Sequence, residues 1–289
     1  MTTPPAAATP KKTTPHQKVK LLLSLLDRLT DGEGQASLER LATDPGAVEA
    51  VARDIATNTP VEVLAKTILT DTRPIQGVTE ADYKYVGLPP EAEKCDFHTG
   101  YNTYLRPLLG KRADGFAAMY KMLDQQDNPL IIETGCLRVP GNWEGDGQST
   151  FQFDWYAREK RGHVMTIDIN ELSINSARRA CSSTTSTILN DSVAALNALS
   201  ANAQKPAALL YLDSFDLVAS NPMPSAMHHA MEVMAARRLI GPGTLLCIDD
   251  FNVPPLGPGG KGLIVNEFLN AINAEVLYSG YQKIWRVAV

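Results

Sequence analysis

The sequence predicts an α/β protein with a doubly wound, mostly parallel sheet, preceded by a helical N-terminal region. From Pro129 onward, apolar runs of strand length alternate with amphipathic runs of helical length. Such alternation is typical of a parallel sheet covered by helices on both faces. Between Lys18 and Thr70, by contrast, apolar residues recur at helical spacing, and no strand-like run separates them.

Three regions are expected along the 289 residues. Residues 1–17 are rich in Pro, Thr and Ala and have almost no apolar anchors, which predicts a disordered tail. Residues 18–110 are expected to form a helical region and a connector that serves as a lid or as the interface of a homodimer; the pattern does not choose between the two. Residues 111–289 are expected to form the ligand-binding domain.

Composition and charge argue against several classes of protein. The chain is 44% hydrophobic and 20% charged, and its net charge of -5 argues against a broad nucleic-acid-binding surface. Its four cysteines are scattered, so neither a zinc site nor a disulfide framework is predicted. No apolar run approaches the roughly 20 residues that span a bilayer. We therefore expect a cytoplasmic protein that binds neither nucleic acid nor membranes.

Each element of the alternating region follows from its own pattern. Strands are predicted at PLIIETG, GHVMTIDIN, STILNDS, AALLYLDSFD and GTLLCI. Helices are predicted over residues 111–126 and at STFQFDWYAREK, ELSINSARRAC, VAALNAL, AMHHAMEVMAARRLI and GLIVNEFLNAI. The last segment, EVLYSGYQKIWRVAV, alternates like a strand, which predicts an antiparallel hairpin that turns near Ser279 and Gly280.

Acidic residues end or follow the predicted strands. Open α/β folds bind their ligands at the carboxyl ends of parallel strands, so these acids are candidate site residues. A dinucleotide site would also have a G-x-G-x-x-G loop after the first strand, but here the loop reads ETGCLRVPGNWEGDGQST. The acids in chain order are Glu133, Asp168, Asp191, Asp213, and the adjacent pair Asp249 and Asp250.

The pair Asp249 and Asp250 has two interpretations. One is a helix N-cap followed by an exposed loop acid. The other is a metal-binding or catalytic edge, because adjacent carboxylates repel each other unless a cation or a proton lies between them.

The ordered set of motifs resembles class I S-adenosylmethionine (SAM)-dependent methyltransferases, and among them metal-dependent O-methyltransferases. The segments ETGCLR, LLYLDSFD, GTLLCIDDF and GKGLIVNEFL are similar to motifs of catechol-type and macrocin-type enzymes and of cephalosporin-hydroxylase-like proteins. The resemblance covers residues 129–289. It implies a Rossmann-like SAM-binding domain within 111–289, and methyl transfer to a hydroxyl of a small molecule, such as a natural-product sugar or a catechol-like ring.

The resemblance implies two groups of site residues. The first group would bind SAM: Glu133, Thr134 and Gly135 beside its methionine part, Gly147, Ser149 and Thr150 at the start of the next helix, Asp168 with Ile169 at the ribose, and Asp191 with Ser192 at the adenine. The second group, Asp213, Asp249 and Asp250, would bind Mg²⁺ or another divalent metal, which lowers the pKa of the acceptor hydroxyl.

The sequence does not determine which residue is the general base. Catechol-type enzymes carry a lysine shortly after the acid of the fourth strand, where this chain has Asp216. Asp216 is therefore a candidate base, or a metal ligand in place of Asp213. His228 and His229 begin the following helix and are further candidates. The remaining option is that the metal alone activates the acceptor hydroxyl.

The sequence assigns no chemical role to two other segments. GPGGKG lacks the spacing of a phosphate-binding loop and is expected to be a flexible connector in which Lys261 and Gly262 open a helix. The insertion at 136–146 is expected either to close over the cofactor or to widen the substrate entrance.

Two other functions stay open. A catalytically inactive SAM-binding regulatory protein would have no need of three clustered acids. An NAD-dependent oxidoreductase would need the dinucleotide glycine pattern that the first loop lacks.

Overall fold

A seven-stranded sheet forms the centre of the part of the chain that the computed structural model describes, residues 80–218, 220–254 and 256–287. The predicted tail and the predicted helices between residues 18 and 70 lie outside these ranges. The strands are β1 Leu130–Thr134, β2 His163–Asp168, β3 Thr185–Leu189, β4 Leu209–Leu212, β5 Leu245–Ile248, β6 Asn252–Val253, β7 Gly257–Pro258, β8 Glu275–Ser279 and β9 Lys283–Arg286.

The strand order of the large sheet is β3-β2-β1-β4-β5-β9-β8, and β6 and β7 form a separate two-stranded ribbon. Strands β1 to β5 are parallel to one another. Strand β9 is antiparallel to both of its neighbours, β5 and β8. The predicted doubly wound, mostly parallel sheet and the terminal antiparallel hairpin are therefore confirmed.

Helices alternate with the strands as the sequence pattern predicts. They are α1 Glu80–Tyr85, α2 Phe97–Gly100, α3 Ala113–Leu123, α4 Trp143–Asp146, α5 Ser149–Glu159, α6 Glu171–Ala180, α7 Ser192–Ala201, α8 Met223–Ala235 and α9 Leu263–Ala271. Short turns of 3₁₀ or π helix lie at Pro90–Lys94, Tyr101–Leu105, Arg106–Leu108, Gly110–Arg112 and Gly260–Gly262. Within the described ranges, no helix has the length and apolar character needed to cross a membrane.

Burial on both faces explains why the central strands are continuous apolar runs. Every residue of β4 and β5 is buried, as expected for parallel strands between two helical layers. One layer forms an aromatic core that includes Phe116, Tyr120 and Phe153. The other is mainly aliphatic and includes Leu196 and Val233.

Residues 80–110 contribute to the aromatic core. Tyr83 makes edge-on ring contacts with Phe151 and Trp155, at centroid distances of 5.3 and 5.6 Å. Phe97 contacts Tyr120 at 4.5 Å. These aromatic contacts pack the end of the expected helical region and connector against α3 and α5.

The strand order fixes where a ligand is expected. The chain proceeds from β1 outward to β2 and β3 on one side, and then crosses to β4 and β5 on the other side. The carboxyl ends of β1 and β4 therefore flank the topological switch point, where open α/β sheets form their binding crevice.

Candidate active site

Gly135 and Asp213 meet at this switch point. Gly135 follows β1 with a φ of +79°, and a Cβ atom at this position would lie 2.5 Å from the backbone oxygen of Asp213, which follows β4. A side chain at residue 135 would be strained by its φ and would also collide with the neighbouring strand end. The first loop and the acid after β4 are therefore in direct backbone contact.

Three carboxylates gather beside this contact. Asp213, Asp249 and Asp250 each offer an oxygen, and these atoms lie within 4.8 Å of one another. We call these three residues the acid cluster. Asp250 has a φ of +48°, an unfavourable conformation for a residue other than glycine, and one that is often found at functional sites. Neither Asp249 nor Asp250 caps a helix, because the next helix, α9, begins only at Leu263.

Lys261 enters the acid cluster from the GPGGKG segment. Its Nζ lies 2.5 Å from Asp213 Oδ1 and 3.2 Å from Asp250 Oδ2, and its side chain is almost fully buried. Burial by itself would lower the pKa of Lys261, but the carboxylates of Asp213 and Asp250 outweigh burial and raise that pKa. Lys261 is therefore an ammonium ion.

Arg112 is a second cation in contact with the acid cluster. Its Nε and Nη2 atoms lie 2.9 and 2.8 Å from Asp249 Oδ2, and Nη2 lies 3.4 Å from Asp250 Oδ1. Its Nη1 donates a hydrogen bond to the carbonyl of Glu144 in the loop after β1. Arg112 thereby connects the acid cluster to that loop. Tyr281 completes the enclosure by donating a short hydrogen bond to Asp250.

Burial and the neighbouring acids act together on Asp213. Loss of solvent and the charges of Asp249 and Asp250 raise the pKa of Asp213, while the Lys261 ammonium opposes that rise. Without Lys261, ionisation of Asp213 would be costly. Asp213 and Lys261 are therefore an interdependent pair.

The acid cluster does not fit a divalent ion as it stands. The Lys261 ammonium fills the space between Asp213 and Asp250, and Arg112 engages Asp249. Asp249 Oδ1 is buried without a hydrogen-bond partner, but a divalent ion requires several oxygen ligands. The residues expected to bind Mg²⁺ therefore lie together in one cluster, but side-chain cations that the sequence did not predict offset most of their negative charge.

Glu133 lies inside the fold. Its carboxyl group is fully buried and accepts hydrogen bonds from the hydroxyls of Ser149, Thr150 and Thr166, at 2.5, 2.7 and 2.6 Å. Burial raises the pKa of Glu133 to about 7, although these three hydrogen bonds oppose the rise. These hydrogen bonds tie β1 to the start of α5, and the expected contact of Glu133 with the cofactor stays a prediction.

The other residues expected around this loop are internal as well. Thr150 Oγ1 accepts a hydrogen bond from Leu137 N at 3.0 Å, which fixes the loop after Gly135. Thr134, Ser149 and Thr150 are buried, and Gly147 has a φ of +67° at the end of α4. These residues shape the loop rather than line an open surface.

Asp168 and Ile169 lie at the carboxyl end of β2 as expected. Asp168 accepts hydrogen bonds from Cys136 N at 3.0 Å and Asn170 N at 2.7 Å, one on each carboxylate oxygen. A carboxylate has about four acceptor positions, so Asp168 retains capacity for ligand hydroxyls. Ile169 is an apolar side chain that is 61% exposed at this edge.

Asp191 and Ser192 begin α7. Asp191 caps the helix by accepting a hydrogen bond from Ala194 N at 2.8 Å. Ser192 Oγ lies 2.9 Å from His228 Nε2, and the His228 ring contacts the exposed ring of Phe215 at 5.3 Å. The expected adenine residues and one expected catalytic histidine therefore meet.

The adjacent histidines have different environments. His228 is partly exposed and lies 3.5 Å from Glu232 Oε1. Burial lowers the pKa of His228, but the hydrogen bond and charge of Glu232 outweigh burial and raise it. His229 is fully buried, donates from Nδ1 to the carbonyl of Ser225, and has a pKa lowered to about 4 by burial. Of the two, only His228 faces the edge of the site.

Asp216 lies outside the acid cluster. Its carboxylate is 2.8 Å from Arg138 Nη1, and its side chain is 76% exposed. The same arginine also contacts Asp146 at 3.2 Å. Asp213, rather than Asp216, therefore occupies the position expected of a metal ligand, and Asp216 pairs with the insertion loop.

The insertion is an ordered part of the fold. Trp143 in α4 is buried and donates a hydrogen bond from Nε1 to Val86 O at 2.7 Å. Gln148 bonds to Gly141 N and Val139 O at 3.1 and 2.9 Å. These contacts hold the loop near Arg112 and the acid cluster.

A cavity of about 430 Å³ lies at the other edge of the sheet. It is lined by Pro129, Gly162 and Lys205, among others, which precede β1, β2 and β4. This amino edge carries none of the expected site residues.

The fold and the site define a Rossmann-like α/β protein with its candidate binding edge at the carboxyl ends of β1 and β4. No family model and no curated protein matches the chain. It is similar to a solved O-methyltransferase from Bacillus cereus in complex with SAH, at 13% identity and a TM-score of 0.42, over 79% of this chain and all of that one. It is also similar to a mutant 16S rRNA (adenine(1408)-N(1))-methyltransferase from Catenulisporales acidiphilia, at 10% identity and a TM-score of 0.36, over 60% of this chain and 93% of that one. Neither similarity supports a function for this chain, whose own residues carry that inference.

Proposed function

We propose that the chain is a SAM-dependent methyltransferase that acts on a hydroxyl group of a small molecule. The observation that carries the proposal is the backbone contact between Gly135 and Asp213. It joins the loop expected to hold the cofactor to the acids expected to hold the acceptor. A methyl donor and an acceptor oxygen must be held together for transfer, and the switch point is where this chain brings the two sets of residues together.

The residues around β2 and α7 fit the adenosine part of SAM. Asp168 would accept hydrogen bonds from the ribose hydroxyls with its free acceptor positions. Ile169 would cover the adenine ring, and Ser192 and His228 would offer polar contacts at the ring edge. When bound, SAM supplies a transferable methyl group on its sulfonium.

The acid cluster fits the acceptor hydroxyl. The side chains of Asp213 and Asp250 retain 16% and 19% exposure, so each can accept a hydrogen bond from a hydroxyl and orient it. Asp213 adjoins Gly135 and would take the hydroxyl proton. The resemblance also implied Mg²⁺, but the proposed transfer does not use a metal because Lys261 occupies the position between these acids.

Calorimetric titration of SAM, SAH and NAD⁺ into the full chain tests the proposal. We expect SAM and SAH to bind and NAD⁺ not to bind. Asp168→Asn should weaken SAH binding by at least about tenfold, since hydrogen bonds to charged groups contribute about 1.5–3 kcal/mol. Asp127→Asn, an exposed acid near the amino edge, is the matched control and should bind like the wild type.

The alternatives give different results. Binding of NAD⁺ without SAM or SAH would contradict the proposal in favour of an oxidoreductase. Binding of SAM without methyl transfer to any of a panel of sugars and catechols would favour a regulatory SAM-binding protein.

A further inference from the structure

We propose that Lys261 is the resident cation of the acid cluster and takes the place of a divalent ion there. The proposal deepens the proposed function, on which it rests for the role of the acceptor hydroxyl. The cation preference of the acid cluster, however, can be tested without cofactor or acceptor.

The oxygen atoms around the Lys261 ammonium resemble the ligand set of a divalent ion. Lys261 Nζ lies 2.5 Å from Asp213 Oδ1 and 3.2 Å from Asp250 Oδ2. The carbonyl oxygens of Asp213 and Ser214 are 3.3 and 3.5 Å away. Carboxylate and carbonyl oxygens are the ligands that hard divalent cations take in proteins. An ammonium with three donors uses the same oxygens as hydrogen-bond acceptors.

The backbone is shaped to deliver this side chain. Gly259 and Gly260 have positive φ angles of +124° and +44°, and a Cβ atom at Gly260 would collide with the carbonyl oxygen of Asp250. Lys261 N also donates a hydrogen bond to that carbonyl at 3.3 Å. The segment is therefore a close-fitting support for Lys261 instead of the flexible connector that the sequence predicted.

Charge explains why Lys261 excludes a metal. Three carboxylates and the two cations Lys261 and Arg112 leave a single net negative charge in the cluster. A divalent ion would have to displace a buried ammonium from its two carboxylates. Neutralising Lys261 raises the net negative charge to two and frees the space between Asp213 and Asp250, which should create a metal site.

In the proposed reaction, Lys261 is a positioning residue. Its ammonium donates a hydrogen bond to Asp213 Oδ1 and holds that side chain beside Gly135. It acts on the acceptor hydroxyl through Asp213. Replacement of Lys261 should therefore change the affinity of the acid cluster for a metal as well as the rate of methyl transfer.

Electron paramagnetic resonance of Mn²⁺ added to the full chain tests the inference. The proteins are the wild type, Lys261→Gln, which retains a hydrogen-bond donor, and Lys261→Ala. Lys205→Ala, an exposed lysine at the amino edge, is the matched control. We expect Lys261→Gln or Lys261→Ala to bind Mn²⁺ at least about tenfold more tightly than the wild type and the control, because both variants remove the ammonium that competes with the ion for Asp213 and Asp250. Adding Asp213→Asn should abolish the gain.

Stoichiometric, tight Mn²⁺ binding by the wild type would overturn the proposal, whatever the variants do. So would folded Lys261 variants that bind Mn²⁺ no better than the wild type, with folding verified by thermal melting. Binding of SAH is a separate measurement. If it fails while the Mn²⁺ results hold, the proposed function is wrong and the cation assignment stands.

Discussion

Arg112 and Asp249 are joined by a buried ion pair.

 In this pair, the guanidinium of Arg112 lies 2.8 Å from Asp249 Oδ2, and both side chains are almost completely buried. The two residues are 137 positions apart in the sequence. Burial disfavours both charges, but each makes the other tolerable in the interior. The pair therefore couples the turn before α3 to the carboxyl end of β5.

Replacing Arg112 should be far more costly than replacing an exposed arginine in a similar ion pair. Arg112→Met leaves the buried carboxylate of Asp249 without its partner, and should lower the free energy of unfolding by about 3–5 kcal/mol. Arg106 pairs with Asp114 at the same distance of 2.8 Å, but at the surface. Arg106→Met should therefore cost less than about 1 kcal/mol. Urea denaturation of the two variants measures both values, and equal losses would contradict the role of Arg112.

Gly135 should tolerate no side chain. Gly135→Ala imposes an unfavourable φ and a collision with the Asp213 backbone. Gly243 has a similar φ of +87°, but a Cβ there would meet no atom within 4 Å. Gly243→Ala thus isolates the conformational cost of about 1–2 kcal/mol. Gly135→Ala should lower the free energy of unfolding further and weaken SAH binding. Unfolding of both variants at the same urea concentration would contradict the close contact between Gly135 and the Asp213 backbone.

The buried Glu133 should make stability depend on pH. Burial raises its pKa from an ordinary 4.5 to about 7. The folded protein then holds this proton more tightly than the unfolded chain, so the contribution of Glu133 to stability is lost as pH rises from about 4.5 to about 7. Glu133→Gln lacks this proton. Between about pH 5 and about pH 7.5, the wild type should lose roughly 2 kcal/mol of stability relative to Glu133→Gln. Urea denaturation of both proteins at the two pH values measures this difference in the free energy of unfolding. A difference that does not change with pH would contradict the raised pKa of Glu133.

The adjacent histidines should titrate separately. NMR titration of the imidazole Cε1–H signals, assigned with His228→Asn and His229→Asn, should give His228 a pKa above its ordinary value of 6.5 and His229 a pKa of about 4. Glu232→Gln should lower the pKa of His228, because it removes the carboxylate at 3.5 Å. Glu171→Gln, on the exposed start of α6, is the control. An unchanged His228 titration in Glu232→Gln would contradict the assigned pair.

The sequence was sufficient to predict the sheet and the positions of its acids. Apolar runs of strand length marked β1 to β5, and parallel strands bring their carboxyl ends to one edge. Asp213 and Asp249 were therefore expected together, and the structure brings them within one cluster. A local pattern was enough because each of these acids ends or follows a strand whose direction the fold fixes.

The cations were not predictable in the same way. Arg112 precedes a helix and Lys261 follows two glycines, and neither local pattern reveals a partner 137 or 48 residues away. The adjacent glycines before Lys261 indicated a loop, and only the fold shows that Gly260 is required beside the Asp250 carbonyl. Glu232 did carry a local signal, since it lies four residues after His228 on a predicted helix, where side chains meet.

We propose above all that the carboxyl ends of β1, β2 and β4 bind SAM. A crystal structure of the full chain grown with SAH tests it most directly. We expect the ribose hydroxyls to contact Asp168 and the adenine to lie between Ile169 and the Ser192–His228 pair. The sulfur should lie near Gly135 and Asp213. SAH bound at the amino-edge cavity, or an empty carboxyl edge at saturating SAH, would contradict SAM binding at the carboxyl ends of these strands.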